Sequence, residues 1–359
     1  MSVNNLKLRK LYFILPPFMR KWATDIYFRQ SIGDAFGRFL TAEEKSDSKL
    51  KKTLKKDIYQ CRKEYGIEVN EYFLYDFRHI NPQQRSTFLT RTVKDQTMDR
   101  IVGFEVFNCE VRDKYNFYLL LKDYFGREVC LVSKNQKEGV NVQQFVEFAT
   151  RHPDLFVKNN ALSKGRGVAL YHVENKEKAE KLFHQLQSSS DTWVIEEKIV
   201  QDPSIAVWNE SSVNTVRLPA ILNNDKFTVL GPCLRMGRAG AIVDNASSGG
   251  IFACVDVETG CLCSDGFDDK YGKYFDKHPD SGITFKGWQV PRWKELLETA
   301  EKIHRLIPHH KYIGWDFALT EKGWVVVEGN WGQLLSQYND HIGLKKQFFE
   351  LLGVTISYS

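Results

Sequence analysis

The chain has 359 residues, of which 42% are hydrophobic, 26% charged and 13% aromatic, a mix that can build a large core and excludes a disordered chain. Ten prolines and 24 glycines exclude a collagen-like or low-complexity protein. A net charge of +5 over this length is no footprint of a nucleic-acid binder.

Residues 1–63 hold fifteen Lys/Arg against six Asp/Glu, a net of +9 that leaves the remainder at −4. Lys7, Arg9, Lys10, Arg20 and Lys21 are interleaved there with Tyr12, Phe13, Phe18 and Trp22. Such a stretch suits contact with an anionic membrane surface. A solvated helical cap explains it more simply, and no membrane contact is entered as an expectation. The apolar run Leu11–Leu15 ends at Pro16-Pro17, too short for a signal-peptide core or a span, so the expected location is cytoplasmic. The seven cysteines show no metal-binding spacing and read as reduced thiols.

Residues 1–100 read as largely helical. Thr41 and Glu44 form a capping box opening a lysine-rich helix that runs towards Tyr65-Gly66, and Asn81-Pro82 is a second helix start. Beyond residue 100, helical stretches (113–124, 141–151, 175–187, 291–307) alternate with apolar runs of strand length. These runs are 129–133, 155–158, 168–173, 193–197, 213–222, 227–238, 251–257, 312–319 and 324–329. Turn signals such as Asn223-Asn224-Asp225 make several of them hairpins, so the class is α+β rather than regular βαβ alternation. The expected divisions are a basic helical region to residue 100, a first lobe over 101–200 and a second over 201–359.

Tyr312–Leu319 and Trp324–Asn330 flank a polar turn. A three-residue loop Glu321-Lys322-Gly323, with Gly323 in the left-handed position, sets Phe317 against Val327 and Leu319 against Val325 on one apolar face. Asp316 then faces Glu328, and Gly314 faces Asn330, on the other. Two carboxylates opposite each other repel, and a hard cation such as Mg²⁺ relieves this through the carboxylate and amide oxygens.

Leu155–Lys158 is a short strand followed by the loop Asn159–Gly167 and a second strand. Ser163, Lys164, Gly165, Arg166 and Gly167 suit a flexible flap over phosphates, with Lys158 as a point charge at the strand end. No helix follows, so this is not a Walker A loop. Glu196-Glu197-Lys198-Ile199 closes a third strand and could offer backbone groups to an adenine edge while Ile199 packs on the ring.

Together these pieces resemble ATP-grasp enzymes over roughly residues 105–345. Asp113-Lys114 is similar to the early ATP-contacting Asp-Lys of D-alanine–D-alanine ligases, Lys158 to the second ATP lysine, and 163–167 to the glycine-rich loop. Glu196–Ile199 resembles the adenine hinge, and Asp316, Glu328 and Asn330 the Mg²⁺ triad. Ser212–Arg217, Asn245 with Gly249-Gly250, and the Glu-Gly-Asn ending resemble the sugar-transfer-associated branch, thought to act in cell-surface polysaccharide synthesis.

The resemblance implies two α+β lobes clasping ATP between them, after a largely helical N-terminal region. It implies ATP and Mg²⁺ as cofactors and an amide-forming ligase working through an acyl phosphate. Arg217 and Arg235 would stabilise the transferring phosphoryl group, and Arg238, Asn245, Gly249 and Gly250 would line the acceptor side. Gly314 stands where the D-alanine ligases carry arginine; Arg217, Arg235 and Arg238 are the candidate replacements, and Asp202 is the nearest ribose carboxylate. The expected partners are a small-molecule carboxylate and amine, sugar-linked in the polysaccharide setting: a uronic acid with an amino acid, or an amino acid with an amino sugar. A kinase-like phosphotransferase on the same fold and a non-catalytic membrane-associated scaffold are the alternatives.

Overall fold

The computed structural model describes residues 17–135, 138–161, 167–241 and 249–354. Its first hundred residues are helical where described. Glu44 N–H donates to Thr41 Oγ1 at 3.2 Å and Thr41 N–H to Glu44 Oε2 at 2.9 Å, the expected capping box. The helix it opens, Ala42–Ser46, is short, because Asp47 accepts from the N–H groups of Lys49 and Leu50 and starts a new helix, Ser48–Tyr65. Gly66 ends that helix at φ +67°, a conformation open to glycine without steric cost. Asn81 and Gln84 form the second capping box. These helices bury Phe28, Ile32, Ile58, Tyr72 and Tyr75 in one core with Cys233, Phe252 and Phe267 of the larger sheet. Among the described residues no helix is long and apolar enough to cross a membrane, and all seven cysteines are free thiols.

Four antiparallel strands make the smaller sheet: β1 Val129–Val132, β2 Asp154–Asn159, β3 Val168–His172 and β4 Trp193–Glu197, in the order β1-β4-β2-β3. Leu155, Val157 and Ile195 bury one face against Phe145, Leu182 and Phe183 of the helices Val142–Arg151 and Lys176–Ser188. Strand alternation sends Phe156, Lys158, Val194 and Glu196 to the opposite face, where Phe156 pairs with Glu196 and Lys158 with Val194.

The larger sheet is also antiparallel. Its strands are β5 Thr215–Asn223, β6 Lys226–Val229, β7 Cys233–Met236, β8 Ile251–Cys254, β9 Gly266–Asp268, β10 Lys273–Phe275, β11 Tyr312–Thr320 and β12 Gly323–Asn330. They run β10-β9-β8-β7-β5-β11-β12, with β6 on β5. Trp315 and Phe317 pack with Leu296, Ala300 and Ile303 of the helix Trp293–His304. The expected strand over 227–238 is two strands, because Gly231 turns the chain at φ +62° and Pro232 has no N–H to donate. β9 and β10, three residues each, are too short to show alternation and were not expected.

The β11–β12 hairpin corrects its expected turn. Thr320 pairs with Gly323, so the loop is the two residues Glu321-Lys322, and Leu319 faces Trp324 while Phe317 faces Val326. Between Phe317 and Asp316 the register shifts by one: Val327 is the extra residue of a β-bulge. The bulge restores the expected pairing where it matters, with Asp316 opposite Glu328 and Gly314 opposite Asn330.

Candidate active site

Asp316 lies in the middle of the larger sheet, opposite Glu328 on β12 and opposite Arg217 on β5. It is 2% exposed. The Arg217 fork donates from Nε to Oδ1 and from Nη2 to Oδ2 (2.9 Å), and Arg235 Nη1 on β7 donates to Oδ2 at 2.9 Å. Burial alone would raise this carboxyl; the two guanidinium groups outweigh it and hold it at about 2. Glu328 goes the other way, pushed up to about 7 by the protein atoms crowding it and by the Asp316 charge beside it. Its side chain nonetheless opens to solvent. Asn330 turns Nδ2 towards Glu328 Oε1 at 3.5 Å, while its Oδ1 is buried without a partner.

This donor set suits a hard divalent cation. All three side chains offer oxygen, and an ionised carboxylate has about four acceptor positions, of which the arginines occupy three on Asp316. The orphaned Asn330 oxygen and the unneutralised Glu328 are the groups such a cation would satisfy. Two glycines shape the surround. A Cβ on Gly314 would sit 3.2 Å from Asn330 Oδ1, a tight contact that requires Asn330 to give by a few tenths of an ångström. A Cβ on Gly332 would meet Arg217 Nη1 at 2.2 Å and Asn330 Oδ1 at 2.3 Å. Arg217 and Arg235, two of the three candidate replacements, both lie on Asp316 from neighbouring strands. Arg238, the third candidate, is held instead by Asp280 (2.6 and 3.0 Å).

On the smaller sheet, Lys158 Nζ lies 2.7 Å from Glu196 Oε1, and Arg127 Nε donates to Glu196 Oε2 at 2.7 Å. Burial raises the Glu196 carboxyl, but Arg127 and Lys158 prevail and hold it at about 2. Glu196 therefore orients Lys158, a use of its side chain that the hinge expectation did not include. Arg127 Nη1 also donates to the carbonyls of Phe125 (2.9 Å) and Val326 (2.8 Å), tying β4 to β12 next to the bulge. Sequence reasoning missed Arg127, because a lone arginine before a strand carries no spacing signal.

Lys114 opens the helix Lys114–Leu121, which Asp113 caps through Asn116 N–H. Its Nζ donates to the carbonyls of Asn159 (2.9 Å) and Asn160 (3.3 Å) at the end of β2. Burial lowers it to about 8, with Lys158 adding to the shift and Glu328 and Glu196 opposing it. Charges from both sheets thus meet around Lys114.

The glycine-rich loop joins β2 to β3. Asn159 N–H donates to Gly167 O at 2.9 Å, and Gly167 turns at φ +66°, so the segment is a hairpin loop as expected. Ser163, Lys164, Gly165 and Arg166 lie outside the described residues, as does Asn245 on the acceptor side. Gly249 (φ +95°) and Gly250 follow that segment, and Arg238 precedes it.

Glu197 accepts from Glu128 N–H at 3.1 Å, and Lys198 Nζ lies 3.6 Å from Asp154. Beyond them a cavity of about 450 Å³ is lined by Phe156, Leu170, Ile199 and Val200 with Ser211 and Val213. Leu170 and Val200 are 40% and 71% exposed towards solvent, apolar surface of the kind a flat heteroaromatic ring covers. Asp202 caps the short helix Pro203–Ala206, its Oδ1 accepting from Ser204 N–H (2.9 Å) and hydroxyl (2.5 Å).

A family model described as sugar-transfer associated ATP-grasp matches residues 111–347. Solved structures similar to this chain include D-alanyl-alanine synthetase A from Vibrio cholerae, at TM-score 0.41 and 11% identity, covering 69% of this chain and 65% of that one. A D-alanine–D-alanine ligase from Bacillus anthracis aligns at TM-score 0.40 and 13% identity, covering 73% of each chain. D-cycloserine synthetase DcsG aligns at TM-score 0.41 and 9% identity, covering 70% of this chain and 73% of that one. The chain thus spans just under two thirds of the Vibrio synthetase, and 49% of a Coxiella burnetii D-alanine–D-alanine ligase. No curated protein matches the sequence.

Proposed function

This chain belongs to the sugar-transfer associated ATP-grasp family, and we propose that it is an ATP-dependent carboxylate–amine ligase. The observation that carries the reading is the placement of Asp316, Glu328 and Asn330 along one stretch of β11–β12, with Lys114 coupled electrostatically to both Glu328 and Lys158. In this reading ATP transfers its γ-phosphoryl group to a substrate carboxylate, and an amine displaces phosphate to leave an amide. Mg²⁺, held by Asp316, Glu328 and Asn330, would neutralise phosphate charge.

The chain's own residues do the rest. Lys114 and Lys158 hold phosphate oxygens, Lys158 kept in place by Glu196. Arg217 and Arg235, both on Asp316, would place their charge beside the transferring phosphoryl group. Phe156, Leu170 and Ile199 pack the adenine. No protein nucleophile is required, since phosphoryl transfer depends on positioning and charge stabilisation.

A sugar-linked acceptor, either uronic acid or amino sugar, in surface polysaccharide synthesis is the substrate class we propose. Mass spectrometry of products after incubation with ATP, candidate uronic acids and amino acids tests the whole reading. A ligase yields ADP and phosphate only when carboxylate and amine are both present, together with a product heavier by their condensation. A stable phosphorylated product made from one substrate alone would show a kinase instead.

Lys158→Met should weaken ATP binding tenfold or more by calorimetry, since a charge-assisted hydrogen bond contributes about 1.5–3 kcal/mol. Unchanged affinity would remove Lys158 from the nucleotide site.

A further inference from the structure

Away from the carboxylate hairpin, three potential metal ligands converge from two segments of the chain. Residues Asn108–Arg112 form a π-helical turn that runs straight into the Asp113 cap and Lys114. Such turns carry an extra residue and recur at functional sites. Glu110 projects from this turn towards His309 and His310, which immediately precede Lys311 and β11. Glu110 Oε2 lies 2.5 Å from His309 Nε2 and 2.9 Å from His310 Nε2. One potential ligand atom from each residue falls within 4.8 Å of the other two.

We propose that Glu110, His309 and His310 bind a divalent transition-metal ion. Two imidazole nitrogens and one carboxylate oxygen suit Zn²⁺ and its neighbours rather than Mg²⁺, which prefers oxygen alone. Both rings turn Nε2 to the same oxygen, Glu110 Oε2, with their centroids 4.4 Å apart. His310 is fully buried, and Nδ1 has no partner, which leaves Nε2 as the nitrogen through which this ring acts.

Metal–ligand distances of about 2.0–2.2 Å require the three atoms to spread by a fraction of an ångström. The exposed His309 gives that freedom. Occupancy would join the turn that leads into Lys114 to the segment that leads into Asp316, stiffening the relation between a nucleotide lysine and the hairpin.

The test titrates tag-free, chelator-stripped protein with Zn²⁺ by calorimetry in excess Mg²⁺, and follows the melting temperature. Wild type should bind one equivalent and melt higher with Zn²⁺. His309→Ala, an exposed change that leaves the fold intact, should weaken binding by about tenfold or more and abolish the Zn²⁺-dependent rise. Glu110→Gln should do the same, whereas Glu328→Gln should bind Zn²⁺ as wild type does. Absence of one-equivalent binding in wild type, undiminished binding in His309→Ala, or loss of binding in Glu328→Gln would each overturn the site.

Discussion

Glu328→Gln is expected to lower ATP turnover by about 10²–10³-fold, the scale on which removing one charge-stabilising group acts on a preorganised site. The change keeps the size of the side chain and leaves the apolar face of β12 untouched, so the fold should survive. The direction of the stability effect separates this outcome from unfolding. Glu328 is pushed up to about 7 by crowding and by the Asp316 charge, so its ionised form is disfavoured in the folded chain. A raised carboxyl costs stability above its folded value and nothing well below its unfolded one. Glu328→Gln should therefore melt no lower than wild type at pH 8, while its turnover collapses. Turnover at the wild-type rate, measured as ADP release, would remove Glu328 from the reaction.

The same hairpin shows how far the sequence alone reaches. Alternation along Tyr312–Leu319 and Trp324–Asn330 places Asp316 opposite Glu328, and the structure has that pair. The inferred loop was a residue too long, and the Val327 bulge, which alternation does not reveal, cancels the error before it reaches the carboxylates. Lys114 and Lys158 were legible because each sits at a boundary, a helix start and a strand end, where motif and element coincide.

What joins them was not. Arg127, Glu196 and Val326 meet across sequence separations of 69 and 199 residues, and no local pattern encodes such a meeting. Glu196 looked like part of a hinge because its neighbours Glu197 and Lys198 are charged and polar. In the fold it is the one of the three that turns inward, to 4% exposure, while Glu197 and Lys198 stay nearer solvent. The glycines at 314 and 332 likewise gain their meaning only from Asn330 and Arg217 pressed against them.

Glu196→Gln should be strongly destabilising. It leaves Arg127 and Lys158, two cations with little solvent access, without their shared anion. Removing one partner of a buried pair costs about 3–5 kcal/mol, far more than the pair contributes against an apolar replacement. For folding units of this size that corresponds to a fall in melting temperature on the order of 10 °C.

The pH dependence has a definite sign. Glu196 is held at about 2, below its ordinary 4.5, so its contribution is fully present above pH 4.5 and is lost as the pH falls towards 2. The gap in stability between wild type and Glu196→Gln should therefore be widest near neutral pH and shrink through that acid window, as chemical denaturation at pH 7, 4 and 3 would show. Lys158 loses its anchor in the variant, so ATP affinity should fall at temperatures where the protein is still folded. A gap below about 1 kcal/mol at pH 7 would mean that the pair behaves like an exposed one. Glu196 would then not be what positions Lys158.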